Sequence, residues 1–140
     1  TRISSSFAEE SDQMVKIFLD SGDWRMIDKY GKEVEGFTTN PTLLRTAGAK
    51  QLQDSLNWLV MCSQGKPLSL EVVADEFDEM EAEARKLSQY GDNIYVKIPI
   101  TNTKGESTSN IIRKLSSNGI KLNITAIMTF EQIRTAARSL

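Results

Sequence analysis

Apolar residues follow two patterns along this chain, and the patterns predict alternating strands and helices. Five short runs rich in β-branched and aromatic residues predict strands. These predicted strands are Met14–Asp20, Gly36–Asn40, Leu68–Val73, Ile94–Ile100 and Leu122–Met128. Between them, apolar residues recur every three or four positions, which predicts helices. The predicted helices are Gln51–Cys62, Asp75–Gln89, Ser107–Ser116 and Phe130–Leu140.

Strict succession of strand and helix predicts an α/β protein with a parallel sheet. Successive strands joined through helices pair in parallel, with right-handed crossovers. The five units follow one another without a linker, so we expect one domain over residues 1–140. The fifth unit ends in mid-helix, so the pattern fits either a small sheet or most of a larger barrel.

Composition excludes several classes of function. The 140 residues are 39% hydrophobic and 26% charged, with a net charge of −2. This balance argues against a basic nucleic-acid surface. No apolar stretch approaches the roughly 18 residues that span a membrane. We therefore expect a cytoplasmic protein that binds neither nucleic acid nor a membrane.

The chain has one cysteine, Cys62, and no histidine. An intrachain disulfide and a Cys/His zinc site are therefore excluded, and we expect no metal or cofactor. Acid–base chemistry must fall to carboxylates, lysine, tyrosine or bound water. Cys62 lies in an apolar stretch and is interpreted as a small core residue.

Lys97 is the most informative residue, because it interrupts the apolar run Ile94–Ile100. Burial in a strand disfavours the charged ammonium and favours a neutral amine. A neutral amine attacks carbonyl carbon and can form a Schiff base. The alternative is a lysine whose aliphatic stem extends to solvent.

Polar residues lie in the body or at the carboxyl ends of the predicted strands, where parallel α/β folds bind ligands. They are Asp20, Asn40, Glu71, Lys97, Asn123 and Thr125. Each has a structural alternative: Asp20 could cap a helix, Asn40 could serve the Asn-Pro turn, and Glu71 could pair with a lysine. Together they predict one binding site.

Several of these segments resemble the transaldolase family in order and spacing. The match begins near Met14 and extends to the chain end, and its most specific parts are Thr38-Thr39-Asn40-Pro41 and Val96-Lys97-Ile98-Pro99. The resemblance implies a (β/α)8 TIM barrel of the class I aldolase type, of which about five βα units are present.

The resemblance also implies a role for each candidate. Lys97 would be the Schiff-base lysine, and Asp20 the carboxylate that handles protons at substrate hydroxyls. Glu71 and Thr125 would hold a catalytic water. The remaining candidates, Asn40, Asn123 and Thr39, would bind substrate.

The implied reaction is transfer of a dihydroxyacetone unit from a ketose phosphate, fructose 6-phosphate or sedoheptulose 7-phosphate, to an aldose phosphate. Relatives that only cleave or form fructose 6-phosphate tend to carry glutamine and glycine at the positions of Glu71 and Asn123, which favours transfer here. Two alternatives stay open. One is a fructose 6-phosphate aldolase or another Schiff-base aldolase, and the other is a catalytically dead half-barrel that only binds.

The resemblance covers no counterpart of the family's strands six to eight or of its phosphate-binding residues. We therefore expect the barrel domain over residues 1–140 to be C-terminally incomplete. We expect two open strand edges. We also expect part of the apolar side of the last helix to need another surface. This side is formed by Phe130, Ile133, Ala137 and Leu140. Expected partners are sugar phosphates and either a second copy of the chain or a complementing C-terminal segment.

Overall fold

The structure, a computed structural model, describes residues 15–48 and 52–140. The described residues form five strands: β1 Phe18–Asp20, β2 Gly36–Thr38, β3 Leu68–Glu71, β4 Ile94–Pro99 and β5 Leu122–Thr125. They also form six helices: α1 Trp24–Tyr30, α2 Pro41–Thr46, α3 Leu52–Ser63, α4 Phe77–Ser88, α5 Ser109–Ser117 and α6 Phe130–Ser139.

The strands form one parallel sheet in chain order, β1-β2-β3-β4-β5. Each new strand is added on the same side of the previous one, so successive right-handed crossovers place the helices on one face of the sheet. A doubly wound sheet would instead reverse its strand order and cover both faces. The predicted α/β fold is confirmed, and the sequential strand order is that of a βα barrel.

The five predicted strands exist, with shorter bounds. The first begins at Phe18 rather than Met14, which lies outside the described residues. The second ends at Thr38, because Asn40 begins the next helix. The fifth ends at Thr125 rather than Met128, because Ala126 adopts a left-handed backbone with φ of 57°. That conformation breaks the extended geometry of a strand.

Two helices were not predicted. Helices α1 and α2 have only 7 and 6 residues, so neither is long enough to show a helical period. Both begin at a side-chain cap: Asp23 accepts a hydrogen bond from the Arg25 N–H, and Asn40 accepts one from the Leu43 N–H. The Arg25 side chain also bonds to Asp23 and lowers the pKa of that carboxyl.

The core lies between the sheet and the helices. Along β4, Ile94, Val96 and Ile98 are buried and alternate with residues that are only partly buried. They face buried residues of α4 and α5, among them Met80 and Ile112. Full burial of an aliphatic side chain contributes about 1.5–3 kcal/mol. The alternation therefore commits one face of the sheet to the core.

The last helix packs through small residues, and most of its large apolar residues are exposed. Ala136 and Ser139 are buried, whereas Phe130 and Ile133 are 83% and 50% exposed. The predicted contact side of α6 was wrong in one respect, since Ala137 is exposed and Ala136 makes the contact. Much of the predicted apolar side is uncovered. No helix in the described ranges is long and apolar enough to cross a membrane.

Helix α2 depends on its cap for stability. Asn40 Oδ1 accepts the Leu43 N–H at 2.8 Å from an extended backbone. We predict that Asn40→Ala lowers the free energy of unfolding by about 1 kcal/mol, because the N–H loses its acceptor. Asn40→Asp keeps an acceptor and leaves the stability nearly unchanged. Urea denaturation measures both, and equal losses for the two variants would show that the cap is not the cause.

Candidate functional site

A row of polar side chains crosses the sheet on the face opposite the core. In parallel strands, residues paired in register point to the same face. Glu71 of β3 is paired with Lys97 of β4, and Lys97 is paired with Asn123 of β5. Thr125 is paired with Pro99, two residues further toward the carboxyl ends of the strands. The register thus brings together three of the predicted residues on three neighbouring strands, with Thr125 beside them.

Lys97 is mostly buried and held over this face. Its side chain is 14% exposed, and its Nζ lies 3.6 Å from Glu71 Oε2. The same Nζ donates a hydrogen bond of 3.3 Å to the backbone carbonyl of Thr39. A carbonyl and a carboxylate therefore fix where the amine stands. The alternative of a lysine that extends to bulk solvent does not describe this geometry.

Glu71 makes the lysine contact that was its structural alternative. Its side chain is 28% exposed, so one carboxylate can face both Lys97 and a ligand or water on the open face. The contact places a proton acceptor beside the amine of Lys97. The pairing is thus a part of the site geometry rather than a reason to dismiss the residue.

Asp20 lies at the end of β1, in register with Thr38. Its carboxylate accepts a hydrogen bond of 2.6 Å from the Thr38 hydroxyl. It does not cap helix α1, because Asp23 has that role. The carboxylate is exposed on the open face of the sheet and is available to a ligand there.

Asn123 is oriented by Ser69, which the sequence analysis did not select. The Asn123 amide donates to Ser69 Oγ at 3.2 Å, and Ser69 is 5% exposed. Ser69 lies two residues before Glu71, so it shares the same face of β3. Thr38 was missed in the same way. A search for small polar residues two positions from each candidate would have found both.

Thr39 and Asn40 lie past the end of β2 and differ from the other candidates. The Thr39 side chain is 1% exposed, and its hydroxyl has no hydrogen-bond partner among the described residues. Thr39 meets the site through its carbonyl rather than through its hydroxyl. The cap of helix α2 uses only Oδ1 of Asn40, so its amide NH2 can serve a ligand.

Two loops at the carboxyl ends of β3 and β4 are joined to each other. Asp75 accepts hydrogen bonds from the Thr103 N–H at 2.8 Å and from the Thr103 hydroxyl at 2.6 Å. These hydrogen bonds hold the pKa of the Asp75 carboxyl below its usual range. Lys104 pairs with Glu76 beside them. The rim next to Lys97 is therefore fixed by contacts between neighbouring loops.

Other reactive chemistry is sparse. Burial raises the pKa of the Cys62 thiol, which suits a half-buried packing residue better than a nucleophile. Within residues 15–48 and 52–140, no cluster of three carboxylate or thiol groups could hold a metal ion. The polar row around Lys97 is the candidate site that the fold presents.

Comparison with known proteins gives a consistent family. A family model described as "Transaldolase/Fructose-6-phosphate aldolase" matches residues 17–140. A "Probable transaldolase" of Nitrosopumilus maritimus is 35% identical over 127 residues, which cover 89% of this chain and 54% of that protein. A "Probable transaldolase" of Thermoplasma volcanium is 38% identical over 130 residues. That match covers 89% of this chain and 56% of that protein.

A third relative, from Streptococcus agalactiae, is 35% identical over 127 residues with the same name. The chain spans about half the length of these curated relatives. The matched region contains all five strands and the whole polar row. The chain belongs to the transaldolase/fructose-6-phosphate aldolase family, and its sheet is the first five-stranded part of that family's barrel fold.

Proposed function

We propose that this chain supplies the Schiff-base half of a transaldolase, which transfers a dihydroxyacetone unit from fructose 6-phosphate or sedoheptulose 7-phosphate to an aldose phosphate. The observation that carries the proposal is the environment of Lys97. The amine is mostly buried, lies 3.6 Å from a carboxylate and is in register with Asn123. We place this activity in the cytoplasm.

The first half-reaction would run on Lys97 and Asp20. The neutral amine adds to the C2 carbonyl of the ketose, and loss of water leaves an iminium. Asp20 then removes the proton of the C4 hydroxyl, and the electrons of the C3–C4 bond flow into the iminium. The bond breaks, an aldose phosphate leaves, and a three-carbon enamine stays on the lysine. The iminium is itself the electron sink, so these steps use no metal or cofactor.

The second half-reaction reverses these steps with a new aldehyde. The enamine carbon attacks the aldehyde of an acceptor such as erythrose 4-phosphate, and Asp20 returns its proton to the new hydroxyl. Water then hydrolyses the iminium and frees Lys97. Two half-reactions on one covalent intermediate give ping-pong kinetics.

The neighbours of Lys97 would divide the remaining tasks. Glu71 and Thr125 hold the water that carries protons to and from the enamine and the carbinolamine. Asn40 and Asn123 donate amide hydrogen bonds to substrate hydroxyls. Thr39 contributes its carbonyl, which orients the amine before the substrate arrives.

A second candidate is simple aldol cleavage, because the matched family includes fructose-6-phosphate aldolases. The two reactions share the imine and differ in the fate of the enamine. Release of free dihydroxyacetone requires a proton at the enamine carbon. We favour transfer, because a carboxylate at Glu71 controls the water that would deliver this proton.

Lys97 gives the first prediction of the proposed function. The protein to test is this chain together with the segment that completes its barrel, here called the parent protein. Its borohydride reduction with fructose 6-phosphate should place a three-carbon adduct on Lys97, located by mass spectrometry. Lys97→Arg keeps the charge but cannot form the imine, so activity should fall by several orders of magnitude. Lys121→Arg is the control and should remain fully active, because Lys121 precedes β5 and bonds to the Asp92 carbonyl before β4, at the amino ends of these strands. An adduct on Lys104 or Lys121 would defeat the assignment.

Glu71 gives the second prediction. Glu71→Gln should increase release of free dihydroxyacetone relative to transfer, because the amide holds the water less well as a proton carrier. The imine on Lys97 should still form and still be trapped. Product analysis with and without erythrose 4-phosphate measures the ratio of cleavage to transfer. An unchanged ratio would leave Glu71 only as the structural partner of Lys97.

We also propose that another polypeptide segment completes the barrel: either the C-terminal part of a longer protein or a second copy of this chain. In the described structure, β1 and β5 each have one unpaired edge. Phe18 and Ile17 near one edge are 46% and 60% exposed, and Met128 and Phe130 near the other are 84% and 83% exposed. Unpaired edges and apolar patches of this kind favour association.

The third prediction tests that surface. The isolated 140 residues should elute as a dimer or larger species by size-exclusion chromatography with light scattering, or show weak amide protection at β1 and β5. The reason is that edge groups and the exposed side of α6 have no partner within the described chain. A 15.7 kDa monomer that unfolds cooperatively with protected edge strands would contradict the proposal.

A further inference from the structure

We propose that Glu83 is a positioning residue: its carboxylate fixes the loop after β3 and thereby sets the distance between Glu71 and Lys97. This inference rests on the proposed function, since it assigns Glu83 a part in the same reaction. Glu83 lies on α4, away from the polar row, and touches no reacting atom. It acts through the backbone that carries Glu71.

The geometry shows one carboxylate oxygen holding two consecutive backbone groups. Glu83 Oε2 accepts the N–H of Val73 and the N–H of Ala74, each at 2.8 Å. Hydrogen bonds to an ionised acceptor are shorter and about twice as strong as neutral ones. Two hydrogen bonds to one carboxylate on a helix fix both the position and the direction of the chain as it leaves the strand.

These two N–H groups continue directly from the sheet. The N–H of Val72, the residue after β3, donates to the Lys97 carbonyl of β4 at 3.2 Å. Val73 and Ala74 come next, and Glu83 accepts both of their N–H groups. The strand end that carries Glu71 is therefore anchored to β4 on one side and to α4 on the other.

Glu71 needs such an anchor because its carboxylate has few polar contacts within the described chain. In the described part of the chain, the Glu71 carboxylate has one polar partner, the amine of Lys97 at 3.6 Å. That distance is long for a hydrogen bond. The position of the carboxylate is therefore set mainly by its backbone, which Glu83 holds.

Glu83 and the site share a boundary. A narrow crevice behind the polar row is lined by Thr39, Asn40, Glu71, Val73 and Glu83, together with apolar side chains of the neighbouring helices. Glu83 and the site residues Asn40 and Glu71 thus line the same crevice. Movement of the Val73 backbone into it would carry Glu71 away from Lys97.

The other acidic residues of α4 offer a matched control. Glu81 lies two positions earlier and pairs with Arg85 and Lys114 on the outer surface, at 2.8 and 2.7 Å. It makes as many charged contacts as Glu83 makes backbone contacts, yet none of them reaches the loop after β3. Removal of Glu81 therefore tests the loss of a carboxylate from α4 without loss of the anchor.

The test compares Glu83→Ala, Glu83→Gln and Glu81→Ala in the parent protein. We expect Glu83→Ala to lower kcat between about 10- and 100-fold with a smaller change in KM, because a misplaced proton carrier slows chemistry more than binding. The ratio of cleavage to transfer should also rise. Glu83→Gln keeps a carbonyl acceptor and should restore most of kcat, and Glu81→Ala should match the unmodified protein.

Hydrogen exchange of the Val73 and Ala74 amides measures whether Glu83 holds this loop, independently of enzyme activity. Both amides should exchange faster in Glu83→Ala than in Glu81→Ala. Unchanged exchange, or equal kcat in these two variants, would overturn the role of Glu83. If Lys97 forms no imine in the unmodified protein, the proposed function fails, yet the exchange data still decide whether the anchor exists. If Glu83→Ala does not fold, Glu83→Gln is compared with Glu81→Gln instead. Glu83→Gln should then show a loss of kcat and of amide protection that Glu81→Gln lacks, smaller than the loss expected for Glu83→Ala.

Discussion

The register between β3, β4 and β5 is the constraint on which both the core and the site depend. Because side chains alternate along a strand, the pairing that sends Val96 and Ile98 toward the helices also sends Lys97 to the opposite face. The same pairing sets Glu71 and Asn123 on either side of the lysine. A slip of one residue would bury an amine in the core and expose isoleucine to water. The apolar face therefore fixes the site through its own packing energy.

The surroundings of the polar row convert this register into a defined geometry. The carbonyl of Thr39 receives the amine of Lys97, Ser69 orients Asn123, and Thr38 holds Asp20. Asp20 is supported from the neighbouring strand β2, whereas the supports of Lys97 and Asn123 come from positions two strands away in the sheet. Preorganisation of this kind is what a covalent mechanism needs, since the amine must meet the carbonyl carbon in one orientation. The proposed transaldolase chemistry uses that arrangement without further rearrangement of the sheet.

The sequence predicted the sheet and most of the row because both depend on a period of two. Lys97, Glu71 and Asn123 stand out as polar residues in apolar strands, and the structure brings them together. Helices α1 and α2 were not predicted, because two turns show too little periodicity. Ser69 was not selected as a site residue, because a small hydroxyl side chain is common in strands. Glu83 could not be predicted, since its partners lie in a loop and only the folded chain brings them together. The buried hydroxyl of Thr39 likewise gives no sign in the sequence.

The proposed function requires Lys97 to form a covalent bond to substrate on the polar face of the sheet. A crystal structure of the parent protein, reduced with borohydride in the presence of dihydroxyacetone, tests it most directly. We expect continuous electron density from Nζ of Lys97 to a three-carbon unit that lies over Asp20, Glu71 and Asn123. Density for the adduct on another lysine, or a Lys97 side chain that is packed among the helices, would contradict it.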